Sequence, residues 1–336
     1  MECLRARECQ KNAITTISKT TRFINYNSKM KPSVWILGEA LIDCVTQPNG
    51  DLRPLIGGSP FNLARAVALR SGEGASVGYL NRLSADSFGD LLRAQFARDG
   101  VSLMMPPSRW PTSLAVVQIK DGQPSYGFYR EAVADRDYTI HEMLTMLKQT
   151  PPGVLHTGSL ALVPREHDKV IAVLQGAKAM GWTISVDVNL RPQMAPDLNE
   201  YLSAVKQVAL LADWLKASDE DLHLLGFATP TRTDAPRIAQ HFTAQGTSRV
   251  ALTFGADGAW LIVDGQTAEQ DVPQVIVIDT VGAGDTFWGN CVADWAMVPT
   301  GAAQRVATTL HQAMKAAAIN CTRPGCQPPR FDELAD

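Results

Sequence analysis

No two of the six cysteines in this 336-residue chain form a C-x-x-C pair, and none has a spacing that suits zinc. A disulfide scaffold and a zinc module are thereby set aside. Several of the thiols sit in apolar segments, as reduced cysteines of a cytoplasmic protein do. The six histidines show no metal-ligand spacing either. No apolar run approaches the length of a membrane span, and a formal net charge of −3 gives neither nucleic acid nor an anionic membrane a reason to bind. No G-x-x-x-x-G-K-[ST] string occurs, and no G-x-G-x-x-G follows the first strand-like run, which argues against a P-loop or dinucleotide enzyme. There is no internal repeat.

What is present suits a globular protein with an ample core: 45% of residues are hydrophobic against 19% charged. An α/β chain of this length often folds as one unit. Residues 1–31 differ from the rest, being polar, rich in Lys, Arg, Thr and Asn, and without periodicity. Arg5, Arg7, Lys11, Lys19 and Arg22 with few acids suit an organelle transit peptide. A simpler expectation is a disordered extension ahead of a start at Met30, with no part in catalysis, followed by one domain over 32–336.

The chain is organised around Asp279-Thr280-Val281-Gly282-Ala283-Gly284-Asp285-Thr286-Phe287. The β-branched run Val275-Ile276-Val277-Ile278 before it predicts a buried strand, and Phe287, Cys291, Val292 and Trp295 after it predict a helix. The glycines therefore fall where a strand turns into a helix. Without a Cβ, Gly282 and Gly284 let backbone N–H groups converge at the helix's positive end, a site for phosphate. A carboxylate there would repel the same anion. Asp285 makes sense if it accepts a hydroxyl proton as that oxygen attacks phosphorus. The competing reading is a tight turn with Asp285 as a helix cap.

Val34-Trp35-Ile36-Leu37 opens the first buried strand. After Asp43 come turns at Asn49-Gly50 and Gly57-Gly58; Ser59 then suits an N-cap and Pro60 the first helical position, with Asn62 in the first turn. A strand is expected over 75–80 and a helix over 87–98. Extended runs over 114–119 and 126–130 flank Asp121-Gly122, a hairpin signal, and 41–56 reads as strand–turn–strand. These two hairpins, near 41–56 and 112–131, suggest a small β lid off the main sheet. Strands over 154–156, 183–186, 214–216 and 250–253 then alternate with helices over 170–179 and 202–211. That alternation predicts a mostly parallel central sheet covered on both faces, with ligands at the carboxyl ends of its strands. Asp187, Asn189 and Arg191 follow one strand end, Ser218 and Asp221 another, and Gly255 and Gly258 a third.

Over 31–334 the chain resembles the PfkB/ribokinase family of carbohydrate kinases. The resemblance rests on the Gly-Ala-Gly-Asp string and on Gly57-Gly58 with Asn62. Gly38-Glu39-Ala40-Leu41-Ile42-Asp43, Phe128-Tyr129-Arg130 and Asp187-Val188-Asn189-Leu190-Arg191-Pro192 look most like its fructokinase branch. It implies the ribokinase-like three-layer α/β fold with a β lid, and ATP-dependent phosphorylation of a sugar, fructose first. Asp43, Gly57, Gly58 and Asn62 would hold the sugar, with Arg130 reaching in from the lid. Gly282, Ala283 and Gly284 would form the anion hole, and Asp285 would be the base. Asn189, Arg191, Ser218, Asp221, Thr253, Gly255 and Gly258, with Gly282 and Gly284, would face ATP and its Mg²⁺. Asp279 and the carbonyl of Val281 would form a monovalent-cation (K⁺) site. Lid sheets of this family often meet across a dimer, which implies a homodimer here.

The sequence departs from the family twice. Ser218-Asp219-Glu220-Asp221 stands where N-x-x-E is usual, which leaves the metal role of Asp221 open beside Glu220 and leaves a plain N-cap at Ser218 as a competing reading. Trp288-Gly289-Asn290 stands where small residues are usual, either reshaping the pocket or packing the helix. The rival functions are a kinase for another sugar, for a sugar acid such as 2-keto-3-deoxygluconate or for a nucleoside, and a sugar- or nucleotide-binding regulator without catalysis.

Overall fold

A strand buried on both faces sends alternate residues into two different layers, and β1 (Ser33–Ile36) does so. In the computed structural model, which describes residues 31–120 and 123–335, Val34 and Ile36 pack into one helical layer while Trp35 and the following Leu37 pack into the other. Along the chain follow β2 (Leu41–Thr46), β3 (Leu52–Gly57), α1 (Ser59–Ser71), β4 (Ser76–Tyr79), α2 (Ser87–Asp99), β5 (Ser102–Leu103), β6 (Ser113–Lys120) and β7 (Gln123–Tyr129). Next come α3 (Ile140–Lys148), β8 (Val154–Gly158), α4 (Pro164–Ala179), β9 (Thr183–Asp187), α5 (Leu198–Leu211) and β10 (Trp214–Ser218). The chain ends with α6 (Asp219–Leu224), α7 (Ala235–Thr243), β11 (Arg249–Thr253), β12 (Ala259–Val263), β13 (Gln266–Gln270), α8 (Ala283–Met297) and α9 (Val306–Cys321).

Among the described residues the strands form two sheets. The larger has nine strands in the order β13-β12-β11-β10-β9-β8-β1-β4-β5, parallel from β11 to β5, with β12 and β13 antiparallel at one edge. Its faces are covered by α1, α2, α8 and α9 on one side and by α3, α4, α5 and α7 on the other. The smaller sheet, β3-β2-β6-β7, joins two antiparallel hairpins through a parallel β2–β6 pair and forms the β lid. The expected turn at Asp121-Gly122 and the extension over 1–30 lie outside the described residues.

Two helices carry the glycine-rich turns to one place. Every residue of α1 is buried, as are those of α8 from Asp285 to Ala296, and the two pack against each other. Gly289 permits this approach: a Cβ there would lie 2.6 Å from the Ala66 methyl carbon. The N-terminal turns of α1 and α8 thus meet at one edge of the sheet. Trp288 packs the helix and does not line the cleft: fully buried, it donates from Nε1 to Ser185 Oγ (3.2 Å) and meets Trp295 edge-on.

The structure corrects two local expectations. Val275-Ile276-Val277-Ile278 is not a buried strand; it pairs with no strand among the described residues, and Ile276 is 86% exposed. The antiparallel β12–β13 hairpin occupies the sheet edge, so the segment runs outside it, with Ile278 N donating to Cys321 O. Ser59 is not the cap of α1 but its first helical residue; Gly58, at φ 104, takes the cap position. A Cβ on Gly58 would lie 2.8 Å from the Glu39 carbonyl oxygen, so this turn needs glycine for both angle and space.

Candidate active site

The first turn of a helix leaves N–H groups without intrahelical partners, and anions are stabilised there. Gly282, at φ 73, caps α8 in the left-handed region, placing Ala283 and Gly284 in that turn and Asp285 just behind them. The Ala283 N–H, expected in the anion hole, instead donates to Thr280 O (3.1 Å) and closes the turn. The Asp285 carboxylate is held on both oxygens. Ser59 Oγ donates to Oδ1 (2.7 Å) and Asn62 Nδ2 donates to Oδ2 (2.9 Å), both from α1. Asn189 Nδ2 in turn donates to Ser59 Oγ (2.9 Å). Ser59 therefore has its hydrogen aimed at Asp285 and a lone pair filled by Asn189.

These groups line a cleft of roughly 490 Å³ between the main sheet and the lid. Asp43, Gly58, Asn62, Asn189, Arg191, Asp221, Val281, Gly282 and Asp285 come together there, with Tyr126 and Phe128 of β7 on the lid side. Gly57 lies behind Asp43; a Cβ at Gly57 would collide with the Asp43 carboxylate. Two non-glycine residues of the cleft wall, Ser159 (φ 55) and Asn189 (φ 37), hold left-handed backbone, strain of the kind that concentrates at functional sites.

Arg130 does not reach into this cleft. It is buried where β7 returns to the main layer, with Nη2 donating to Asp135 (2.9 Å) and Nη1 to Leu160 O (3.2 Å). A buried guanidinium needs a paired carboxylate, and Asp135 supplies it. The β7 residues that do face the cleft, Tyr126 and Phe128, stack with ring centroids 5.9 Å apart.

Asp221 and Ser218 form a capping box at the start of α6. Asp221 Oδ2 accepts from Ser218 N and Oγ (both 2.9 Å), and Oδ1 accepts from Leu190 N (2.7 Å). The N-cap reading of Ser218 is the one realised. The same carboxylate ties down the loop after β9, where Arg191 folds back so that Nη1 donates to Asn189 Oδ1 (2.6 Å). Glu220 is exposed on the cleft wall. Thr253 is the register neighbour of Ser218 on β11, while Gly255 (φ 52) and Gly258 (φ 90) form the turn after it, outside the cleft lining. Asp279 accepts from Val281 N (3.0 Å) and Gly325 N (2.8 Å), and the Val281 carbonyl accepts from Asn320 Nδ2 (2.9 Å). These two residues make a hydrogen-bonded turn whose oxygens already have protein donors, where a cation shell needs several oxygens. Among the described residues no cluster of three or more His, Cys, Asp or Glu side chains could hold a metal.

Two charged groups escaped the sequence reading. Lys216 is fully surrounded in β10 and pairs with both oxygens of Asp187 on β9 (3.0 and 3.2 Å). Burial pulls the ammonium down, but the Asp187 and Asp221 carboxylates outweigh it and hold Lys216 above its ordinary value. A Cβ on Gly284 would lie 3.3 Å from Lys216 Nζ, so the cation sits directly behind the glycine turn. The signal was a lysine inside an apolar strand. Glu39, 1% exposed, is the other: burial raises its carboxyl to about 7 against the pull of Arg130.

Burial also raises Asp43 to about 6, with Arg191 opposing and Asp285 reinforcing. Asp285 is raised by burial and lowered by the Ser59 and Asn62 hydrogen bonds, then by Lys216 and Arg191. Removing the Ser59 hydroxyl takes away a lowering contribution, so the carboxylate protonates at higher pH. Ser59→Ala is expected to raise the pH at which Asp285 protonates, followed by carbon NMR of its carboxyl; a titration that stays in place or moves down would contradict the coupling.

A family model described as pfkB family carbohydrate kinase matches residues 31–333. The chain is 30% identical over 289 residues to a fructokinase of Rhizobium leguminosarum bv. trifolii, covering 83% of this chain and 84% of that protein. It is likewise 30% identical over 268 residues to an aminoimidazole riboside kinase of Salmonella typhimurium, covering 78% and 80%. Among solved structures, fructokinase from Xylella fastidiosa with bound ATP superposes with a TM-score of 0.75 at 26% identity, over 91% of this chain and 97% of that one. A double mutant of the fructokinase of Vibrio cholerae O395 in its fructose-, ADP- and potassium-ion-bound form gives the same TM-score at 25% identity, over the same shares.

Proposed function

The chain belongs to the pfkB family of carbohydrate kinases, and from that premise we propose that it is a fructokinase, transferring the γ-phosphoryl group of Mg-ATP to fructose. It is an ATP-dependent sugar kinase by family; the acceptor is the part proposed. The observation that carries the proposal is the Asp285 carboxylate, held on both oxygens by Ser59 and Asn62 at the N-terminus of α8 and opening on the cleft. A sugar hydroxyl placed by Asp43 and Asn62 donates its proton to Asp285 as its oxygen attacks the γ-phosphorus. The bond from that phosphorus to the bridging oxygen breaks and ADP leaves. The N–H groups of Gly282 and Gly284 face the transferring phosphoryl group, that of Ala283 being taken by the Thr280 carbonyl. The Lys216 charge lies behind the turn, so the oxyanion meets donors already in place.

Mg²⁺ arrives with the nucleotide and neutralises phosphate charge. Of the two carboxylates on that wall, Asp221 spends its oxygens on Ser218 and Leu190, so Glu220 is the one that would hold the metal. Arg191 on the same wall suits phosphate oxygens. Thr253, Gly255 and Gly258, beyond Ser218 on the sheet edge, lie on the nucleotide side.

Charge favours a neutral sugar over a sugar acid. Glu39, Asp43, Glu220, Asp221 and Asp285 line the cleft against one arginine, Arg191, and an anionic acceptor would meet mostly like charge. A second reading has its own support: the Salmonella typhimurium relative is named for a riboside, and the exposed ring of Tyr126 offers a heterocycle a stacking face. Steady-state kcat/KM for fructose, aminoimidazole riboside and 2-keto-3-deoxygluconate separates the three. Fructose is expected to lead and the sugar acid to trail; a leading sugar acid would sink the charge argument, and a leading riboside would move the acceptor.

A further inference from the structure

The chain crosses four times between the main layer and the lid, and a charged residue stands where the crossings meet. Glu39 lies between β1 and β2, Ser59 two residues after β3, Ser113 at the start of β6, and Arg130 directly after β7. Asp135 joins the last two, accepting from Ser113 Oγ (2.8 Å) and Arg130 Nη2 (2.9 Å). Glu39 joins the first two, its Oε1 accepting from Ser59 N (3.2 Å). Its other oxygen is buried with no partner among the described residues, and Glu39, Arg130 and Asp135 line one small cavity.

The Ser59 N–H is one of the donors that the first turn of α1 leaves unsatisfied. It is met by a carboxylate twenty residues earlier in the chain. The same residue's hydroxyl holds Asp285. An unbroken line therefore runs from Glu39 through the Ser59 backbone and side chain to the Asp285 carboxylate. We propose that Glu39 is a positioning residue for phosphoryl transfer: from the hinge of the lid it fixes Ser59, and through Ser59 it aims the carboxylate of Asp285. The proposal rests on the reading of Asp285 as the base. Glu39 acts by reach, not by charge: its carboxylate must extend far enough to accept the Ser59 N–H.

Two conservative variants separate reach from charge. Glu39→Gln keeps the length and an accepting oxygen; Glu39→Asp keeps the charge and is one methylene short. Measured on the best acceptor with kcat, both KM values and Tm, Glu39→Asp is expected to lose about tenfold or more in kcat, with the KM for ATP unchanged. Glu39→Gln should stay within about threefold. If the effect passes through Ser59, Glu39→Asp/Ser59→Ala falls no further than Ser59→Ala alone, since coupled residues do not add. Losses that multiply in the double variant overturn the proposal, as does a loss in Glu39→Gln with Glu39→Asp spared. So does a lower Tm with kcat per folded enzyme intact, the signature of a helix cap and nothing more. Asp285→Asn in the same assay keeps the premises apart. If it remains active, the base assignment has failed; if it is inactive while the losses multiply, only the role of Glu39 has failed.

Discussion

Asp285→Asn is expected to lower kcat by about 10²- to 10⁴-fold, the range that a positioned general base supplies, while the Kd for the sugar stays within a few-fold. The substitution preserves shape and burial. An amide oxygen still accepts one of the two hydrogen bonds now made by Ser59 and Asn62. The amide nitrogen would oppose a donor, but Asn62 Oδ1 has no partner among the described residues, so its side-chain amide can turn over and accept. What is lost is the capacity to take a proton from a hydroxyl. Calorimetric titration of the sugar beside steady-state turnover checks both halves. A variant that loses binding in proportion to turnover would make Asp285 a sugar ligand and not the base.

Lys216→Met is expected to destabilise the protein by roughly 3–5 kcal/mol above neutral pH, because removing one partner strands the other as an uncompensated buried charge. Burial raises the Asp187 carboxyl to about 7 even against the pull of Lys216, so at lower pH it protonates and the loss shrinks. The stranded partner is Asp187, 0% exposed and bonded through both oxygens to Lys216. A loss of that size lowers Tm by on the order of 10 °C in a domain of this class. Adding Asp187→Asn should recover a large part of it, since the double variant leaves no lone charge. Thermal unfolding of the two proteins decides the matter; an unchanged Tm in Lys216→Met would mean that the pair contributes no net stability. The single variant should also lose turnover, as the cation behind Gly284 is gone.

Periodicity located most elements of the main sheet to within a few residues, because strands buried on both faces and flanked by Gly and Pro leave a plain mark. The meeting of Asn62 with the Gly-Ala-Gly-Asp turn came from motif resemblance, and no local pattern contains it. The contact between Ser59 and Asp285 spans 226 positions. Ser before Pro at a helix start has an adequate local explanation as a cap, and that explanation hid its real partner. Lys216 was hidden likewise, since its counter-ion comes from the neighbouring strand, β9, in register. The resemblance of Phe128-Tyr129-Arg130 implies a sugar contact for Arg130; the buried Asp135 five residues on claims it instead. Val275-Ile276-Val277-Ile278 has strand composition, but β-propensity measures fit to a half-buried surface. With the β12–β13 hairpin at the sheet edge, that surface is not offered to it.

On the proposed reading, a fructose hydroxyl and the γ-phosphoryl group of Mg-ATP react in the cleft before Asp285. Phosphorus NMR of the protein with Mg-ATP and fructose tests it most directly. A sugar phosphate-ester resonance is expected to grow in equal amount with ADP, and not to grow with Asp285→Asn. No ester from folded protein that binds both fructose and ATP would contradict it.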